Sequence, residues 1–490
     1  MTTTSWAHAV SGDFNTATNW TAGVPAAGDT ALITVSGPAY TVTSSQLNSV
    51  GTLETAKKAT LEVDGSTFRL GSGTGTGALA GTITVVNAGA DVGVLQLGAT
   101  ATNTTFKNTG TFELDVDADL VIAGTATLIG NGQLILIDAD TIIGTGAFNG
   151  TLINGSASSR HTISGTGAVG DGQLTFVNAA KGIIDASGDS NTPDQALDVL
   201  TASFTNSGLM EATGTGVLFL KSSIGQSASG RIETRASHTA NPGAAIVLDN
   251  ASIVNGTVSI AKGTSLFSEG GTEEINTSAK PIANAGLIAT MGSSTLILSS
   301  VKNTRTGELK VNVDGRLETT GTVSGGTALI ESGAEILFQG PSSANVTLVA
   351  GTFESELVLE DPAQFTGTVA GLATLNTEID LENIPFADGP TVNFDASKHL
   401  LKVTDPITGT IDNIKIVGTG TFAPSLAGDG STFIRDPPAS PASAPNANTN
   451  LLAQSMASIG ASGNVAGSGA GNLAEHRSSS DFLAPNSHHA

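Results

Sequence analysis

Five times along the chain an apolar residue, any residue and an Asn are followed, past a Gly or Ala-Lys-Gly step, by another apolar pair. The clearest copies are FKNTGTFEL (106–114), FTNSGLMEA (204–212) and IANAGLIAT (282–290), with looser ones in FVNAAKGIIDA (176–186) and VKNTRTGELKV (301–311). Asn108, Asn178, Asn206, Asn284 and Asn303 hold the same place in each. Around them, from about residue 41 to 360, short runs such as TLEVD (60–64), QLILID (133–138), STLILSS (294–300) and AEILFQG (334–340) alternate with Gly, Asn, Ser or Asp. Runs this short, dense in β-branched residues and closed by turn formers, are strands. No apolar 3.6-residue period persists long enough to make a helix there. A strand pattern that repeats itself internally is the mark of stacked coils, in which each turn lies on the last and an Asn can recur at one corner as a ladder. The expected fold is therefore all-β, a parallel β-helix, with rungs of roughly 20 to 25 residues, about fifteen coils and a rod on the order of 70 Å long.

Composition agrees where it bears on this. Aromatic residues make up 4% of the 490, and beyond 17 Phe there are only 2 Trp and 1 Tyr. A stack of narrow coils has room for Val, Ile and Leu but little for large rings. Both Trp residues and Tyr40 fall in the first 43 residues, where they would cover the open end of the core. The expected divisions are an N-terminal cap over 1–43, the β-helix over 44–360, a C-terminal β module over 361–438 and a flexible tail over 439–490. Within the tail, NLLAQSMASIG reads as one short helix with Asn450 as its N-cap.

Net charge is −23, which disfavours nucleic acid and anionic membrane surfaces as partners. There is no cysteine, so disulfides, thiolate metal sites and cysteine nucleophiles are all excluded. MTTTSWAHAVSGDFNTATNW has neither a basic start nor an apolar run, so no Sec leader is expected in it, and no window is apolar enough for a membrane-spanning helix.

Two segments carry a resemblance. ATNWTAGVPAAGDTALITVSGPAYTVT (17–43) resembles the opening module of bacterial autotransporter-like and other β-strand-repeat surface proteins, which implies a right-handed β-helix behind it. Residues 365–438, with TLNTEIDLENIPFADGPTVNFD and IKIVGTGTFAPSLAGDGSTFIRDPP, are similar to a C-terminal module of secreted β-repeat proteins of alphaproteobacteria, rhizobia among them. Where that module has Gly-Asp before its IDL strand, this chain has Asn376 and Thr377, which removes a carboxylate that could have held calcium there. The ending DFLAPNSHHA resembles the tails of the same proteins, implying an uncleaved C-terminal signal and a type I exporter. The GGxGxDxU nonapeptides of calcium-binding exported proteins are missing, as is any run of strands fit for a membrane barrel.

The candidate site is TFELDVDADL (111–120). Its alternation puts Glu113, Asp115, Asp117 and Asp119 on one face, with Phe112, Leu114, Val116 and Ala118 toward the core. A copy, DADTIIGT, begins at Asp138, and an offset of 21 residues would stack Asp138 on Asp117 and Asp140 on Asp119. Aspartates so opposed repel unless they are solvated or share a hard cation. Asp117, Asp119, Asp138 and Asp140 are thus either a salt-screened face or the ligands of a calcium ion. Asp117, Asp138 and Asp140 with Arg160 and His161, one rung on, would give the acid, base and cation of a polysaccharide lyase or glycoside hydrolase. Against this, no Tyr or Trp after Tyr40 could stack on a sugar, Lys and Arg are sparse, and neither GHG nor RIK occurs. His8, His161, His238 and His399 are isolated, and the GTG strings lack a phosphate-loop context. The reading that follows is a secreted or cell-surface, adhesin-like β-solenoid whose partners are extracellular polysaccharide or surface components, with enzymatic cleavage of polysaccharide as the alternative.

Overall fold

The computed structural model describes residues 1–436, apart from 72–77, 138–140, 144–148, 189–195, 237–242, 279 and 373–375; for 141–143 it describes the backbone alone. The chain is a β-solenoid. Each coil visits three faces in turn, as in Asn103–Lys107, Thr111–Leu114 and Asp119–Ile122, before Thr125–Ile129 returns to lie on Asn103–Lys107. The strand beginning at Asn103 belongs to face three, that at Thr111 to face one and that at Asp119 to face two. Face one is a sheet of 14 strands from Gly12–Asp13 to Val323–Ser324, and every pairing in it is parallel. Face three carries 15 strands and face two runs unbroken from Asn48–Val50 to Thr368–Ala370.

Parallel pairing in register brings identical kinds of side chain over one another. On face one the inward row Leu61, Ile83, Phe112, Leu134, Ile163, Ile184, Met210, Ile232 and Val258 passes through consecutive strands, all of them buried. Each member removes its side chain from water against its neighbours above and below, which contributes about 1.5–3 kcal/mol per large aliphatic residue. At the first coils Trp6 and Trp20 meet edge to face at 5.1 Å, and Phe14 packs against Trp20 at 5.0 Å and Phe68 at 5.5 Å. The other end is closed by a three-stranded antiparallel meander and an antiparallel hairpin. Leu400–Thr404 joins Thr391–Asp395 to Ile411–Val417, which adds to face two, and Thr432–Arg435 lies antiparallel on Thr377–Leu381 of face three. Asn376 takes a left-handed φ of 61° at the entry to that strand. Asn tolerates this conformation better than other non-glycine residues.

The repeated Asn residues form a buried hydrogen-bonded ladder. Asn154 Nδ2 donates to Asn178 Oδ1 at 2.9 Å, Asn178 to Asn206 at 2.9 Å, Asn206 to Gln226 Oε1 at 3.0 Å, and Gln226 Nε2 to the Asn255 carbonyl at 3.1 Å. Asn154 and Gln226 belong to this run although the sequence motif skips them, Asn154 because residues 155–160 displace its trailing apolar step and Gln226 because it is not an Asn. Each Asn also ties down the next coil, as Asn178 does through its bond to the Leu209 carbonyl at 3.0 Å. The five motif residues do not share one corner. Asn108, Asn178 and Asn206 stand where face three turns into face one, whereas Asn284 and Asn303 end the face-one strands Ile282–Asn284 and Val301–Asn303 and bond to each other at 2.8 Å at the next corner. The same local turn is therefore used at two places on the cross-section.

Replacing Asn178 by Ala would strand the buried donor of Asn154 and the acceptor of Asn206, each costing on the order of 1–3 kcal/mol. The exposed Asn131→Ala, at a corner outside the ladder, should stay within about 0.5 kcal/mol of the parent. Urea denaturation of the two variants checks this, and equal midpoints would contradict the ladder's role.

Candidate functional site

The acidic stretch does not form one continuous strand. Thr111–Leu114 ends on face one, the chain turns at residues 116 and 117 with Asp117 at φ 60°, and Asp119–Ile122 starts face two. The turn is held by the Ala118 N–H to the Asp115 carbonyl at 2.9 Å and by Asn87 Nδ2 to the Val116 carbonyl at 2.9 Å. Val116, expected in the core, is 44% exposed, because a left-handed residue breaks the two-residue alternation. Asp115 and Asp119 thus flank a corner instead of sharing a face. The register also differs from the 21-residue offset: Asp119 lies opposite Thr141, one residue beyond Asp140. Asp138 and Asp140 themselves lie outside the described residues. Burial, followed by the charge of Asp117, raises Asp119 above the usual carboxylate range. Among the described residues no group of three or more His, Cys, Asp or Glu side chains is placed to hold a metal ion.

His161 is not at that corner. It opens the strand His161–Gly165 at the opposite end of face one, level with Gly182 on the next coil, and it is fully buried. Its imidazole bridges the ladder: Asn108 Nδ2 lies 3.1 Å from Nε2, and Nδ1 lies 2.8 Å from Asn154 Oδ1. The coil between those two Asn residues has Gly130 at the corner and no amide to offer, and the ring spans that gap. Gly132 has no room for a side chain, since a Cβ there would meet the Gly110 carbonyl oxygen at 2.6 Å and the Asn108 side-chain carbon and backbone oxygen, both at 2.7 Å. Every donor in the ladder points the same way only if His161 is neutral with its proton on Nδ1, and burial accordingly pushes its pKa down to about 4. The expected constellation of Asp117, Arg160 and His161 is therefore not assembled, since Asp117 and His161 sit at opposite ends of the face-one strands.

What the coil brings together instead are two rows of carboxylates far apart in sequence. On face one Asp185, Glu211 and Glu233 oppose each other on three adjacent strands. Arg235 Nε lies 2.6 Å from Glu211 and 3.0 Å from Glu233, and Thr213 Oγ1 donates to Asp185 at 2.7 Å. Burial raises both Asp185 and Glu211. On face three the row is Arg316, Glu335, Glu356, Glu378 and Arg435, one residue per strand. Arg316 Nη1 pairs with Glu335 at 2.9 Å, and Arg435 pairs with Glu378 and, at 3.1 Å, with Glu354. Strands ~4.8 Å apart force the three glutamates together, so the arginines neutralise the ends and the middle retains its proton. Glu356 is pushed up to about 8, first by burial and then by Glu378 and Glu335. Burial takes Glu378 to about 7 despite Arg435. A protonated carboxyl beside ionised ones holds the protons an acid–base pair needs. These groups lie on a sheet face, however, and the groove of about 350 Å³ at the corner of faces three and one is lined elsewhere, by Lys57, Thr82, Thr109, Thr111, Asn131 and Gln133 among others.

One further carboxylate, Glu273, points inward with Ile275 on Thr272–Asn276 and is wholly buried, its Oε1 accepting from the Asn250 N–H at 3.2 Å and its Oε2 without a hydrogen-bond partner among the described residues. Burial raises it to about 7. The phase of Ile275 in TEEIN was the signal for its inward direction. No such signal existed for the two rows, whose neighbouring carboxylates are 21 to 26 residues apart.

No protein-family model matches the chain, and no curated protein matches it.

These shifts have opposite signs in their effect on stability. Glu356 rises from an ordinary 4.5 to about 8, so the folded chain holds a proton the unfolded chain has lost; its contribution is complete at acid pH and drains away as pH rises toward 8. His161 falls from 6.5 to about 4, so its contribution is present above 6.5 and is lost as pH falls toward 4. Glu356→Gln should therefore raise the melting temperature at alkaline pH and leave the acid side unchanged. His161→Gln, which can both donate and accept, should flatten the acid limb alone. Melting curves across pH test the pair, and a swapped pattern would refute the assignment.

Proposed function

We propose that the chain is an extracellular, surface- or matrix-associated β-solenoid of adhesin-like character, holding polysaccharide or other surface components through many weak contacts along its faces. The observation that carries this reading is the register of its outward side chains. On face one Thr41, Thr60, Thr82, Thr111, Gln133 and Thr162 follow one another on consecutive strands, all at least partly exposed. Hydroxyl and amide groups repeated at the spacing of the coils suit an extended polar ligand, and affinity then accumulates with the number of coils engaged. The Asn residues of the ladder contribute nothing to this surface, because they are buried. The resemblance of residues 17–43 and 365–438 to β-repeat surface and secreted proteins supports the location, and the resemblance of the ending supports a C-terminal signal read by a type I exporter.

The alternative, cleavage of polysaccharide, draws on the proton-bearing Glu356 beside Glu335 and Glu378. Retention on immobilised acidic and neutral glycans of graded length, with reducing ends and unsaturated products followed in parallel, separates the two. Retention that climbs steeply with glycan length and no released product is expected. Turnover abolished by Glu356→Gln would replace the adhesive reading with a catalytic one. Removing residues 450–490 should keep the protein inside the producing cell, and undiminished release would refute the export route.

A further inference from the structure

The groove at the corner of faces three and one is cut by the way the coils stack. It crosses four successive coils, from Lys57 to Gln133, and on the last three its floor is glycine: Gly81, Gly110 and Gly132. A Cβ on Gly81 would run into the Ala59 carbonyl oxygen, one on Gly110 into that of Gly81, and one on Gly132 into that of Gly110. Close contact with the preceding coil therefore forbids a side chain on the floor, and the residues to either side stand up as walls. Thr82, Thr111 and Gln133, in register on consecutive strands, form the face-one wall, and Thr109 and Asn131 line the other.

Chemistry and spacing narrow what this groove can take. Its polar groups are hydroxyls and amides, and Lys57, at one end, is the single charged side chain of the lining, so a polyion finds no matching row. On later coils the same corner is tied across coils, Ser229 Oγ donating to the Ser207 carbonyl at 3.1 Å and Ser278 Oγ to Asn255 Oδ1 at 2.6 Å. Among the described residues the five polar side chains of the two walls make no such bond, and Thr109, Asn131 and Gln133 are exposed. These groups recur at the coil spacing of ~4.8 Å, whereas an extended peptide advances ~3.3 Å per residue and falls out of step with them. An extended β-linked glycan advances by close to one coil per sugar, with hydroxyls along both edges to meet both walls.

We propose that this groove is a glycan subsite that holds four consecutive sugars of an uncharged, extended β-linked polysaccharide along the rod axis, one sugar to a coil. This rests on the adhesive reading above and gives it a ligand class and a place. Hydroxyls on one edge of the sugar chain meet Thr82, Thr111 and Gln133, and those on the other meet Thr109 and Asn131. Each bond is weak by itself, so occupancy depends on engaging successive coils together.

Calorimetry on the full chain with cello-oligosaccharides of two to six units tests this, with maltohexaose, whose α-linkages wind the chain, and a Ser-Thr octapeptide as comparison probes. Affinity should climb to four units and then level off, with little binding of either comparison probe. Thr111→Val with Asn131→Ala should weaken binding of the four-unit probe at least about fivefold, and Lys398→Gln, on the closing meander, should leave it unchanged. Both groove changes lie outside the ladder, so unchanged melting curves will show that the variant folds, and the length series on the parent chain decides the matter independently. No binding of cello-oligosaccharides, affinity that keeps climbing past four units, maltohexaose or peptide binding as tight as that of the four-unit probe, or indifference to the double change would overturn the assignment. In each case continued length-dependent retention on immobilised glycans would leave the adhesive reading standing without this groove, and loss of that retention would remove both.

Discussion

Everything in this molecule depends on coils lying on one another in parallel register. A strand on a solenoid face has no hairpin partner, so its backbone N–H and C=O groups are satisfied only by the coils before and after it. That requirement forces the inward residues into rows and leaves no freedom to shift a single coil, since a one-residue slip would turn its apolar side outward. The row from Leu61 to Val258 and the amide ladder from Asn108 to Gln226 are two consequences of one constraint. The ladder adds direction to it, because each buried amide both donates and accepts and therefore holds three coils together.

Corners absorb what the faces cannot. Val94 is opposite Asp119, 25 residues on, but Asn345 is opposite Thr327, only 18 away. The differences are taken up between strands, as at residues 155–160, where the chain leaves the coil after Asn154 and returns at His161. That excursion brings back to the coil a residue whose ring bridges Asn108 and Asn154, where the intervening coil has Gly130 and no ladder amide. His161 is thus a repair in the stack, which explains why a histidine so attractive as a catalytic base is sealed from solvent and kept neutral.

The same register sets the electrostatics. Carboxylates that are unremarkable in the linear chain become neighbours on adjacent strands, and partial burial then raises their proton affinity. The chain answers with arginines at the ends of the Glu335, Glu356 and Glu378 row, with Arg235 beside Glu211, and with retained protons where no cation reaches.

Strand identity, the aromatic crowding of the first coils and the stacked architecture were all legible in the residues, since they rest on local composition and turn chemistry that repeat often enough to be recognised. The acidic face at 111–120 was misread, because one left-handed residue, Asp117, turns a seemingly continuous strand into a corner, and alternation alone cannot distinguish the two. Which side chains face each other across coils was settled only by the folded stack. An offset of 21 and one of 22 are equally consistent with the text of the two DAD segments, yet they differ in whether Asp140 or Thr141 lies beside Asp119. Register depends on how much chain each corner consumes, a quantity fixed by packing against the neighbouring coils, and so the carboxylate rows and the bridging His161 became visible only in three dimensions.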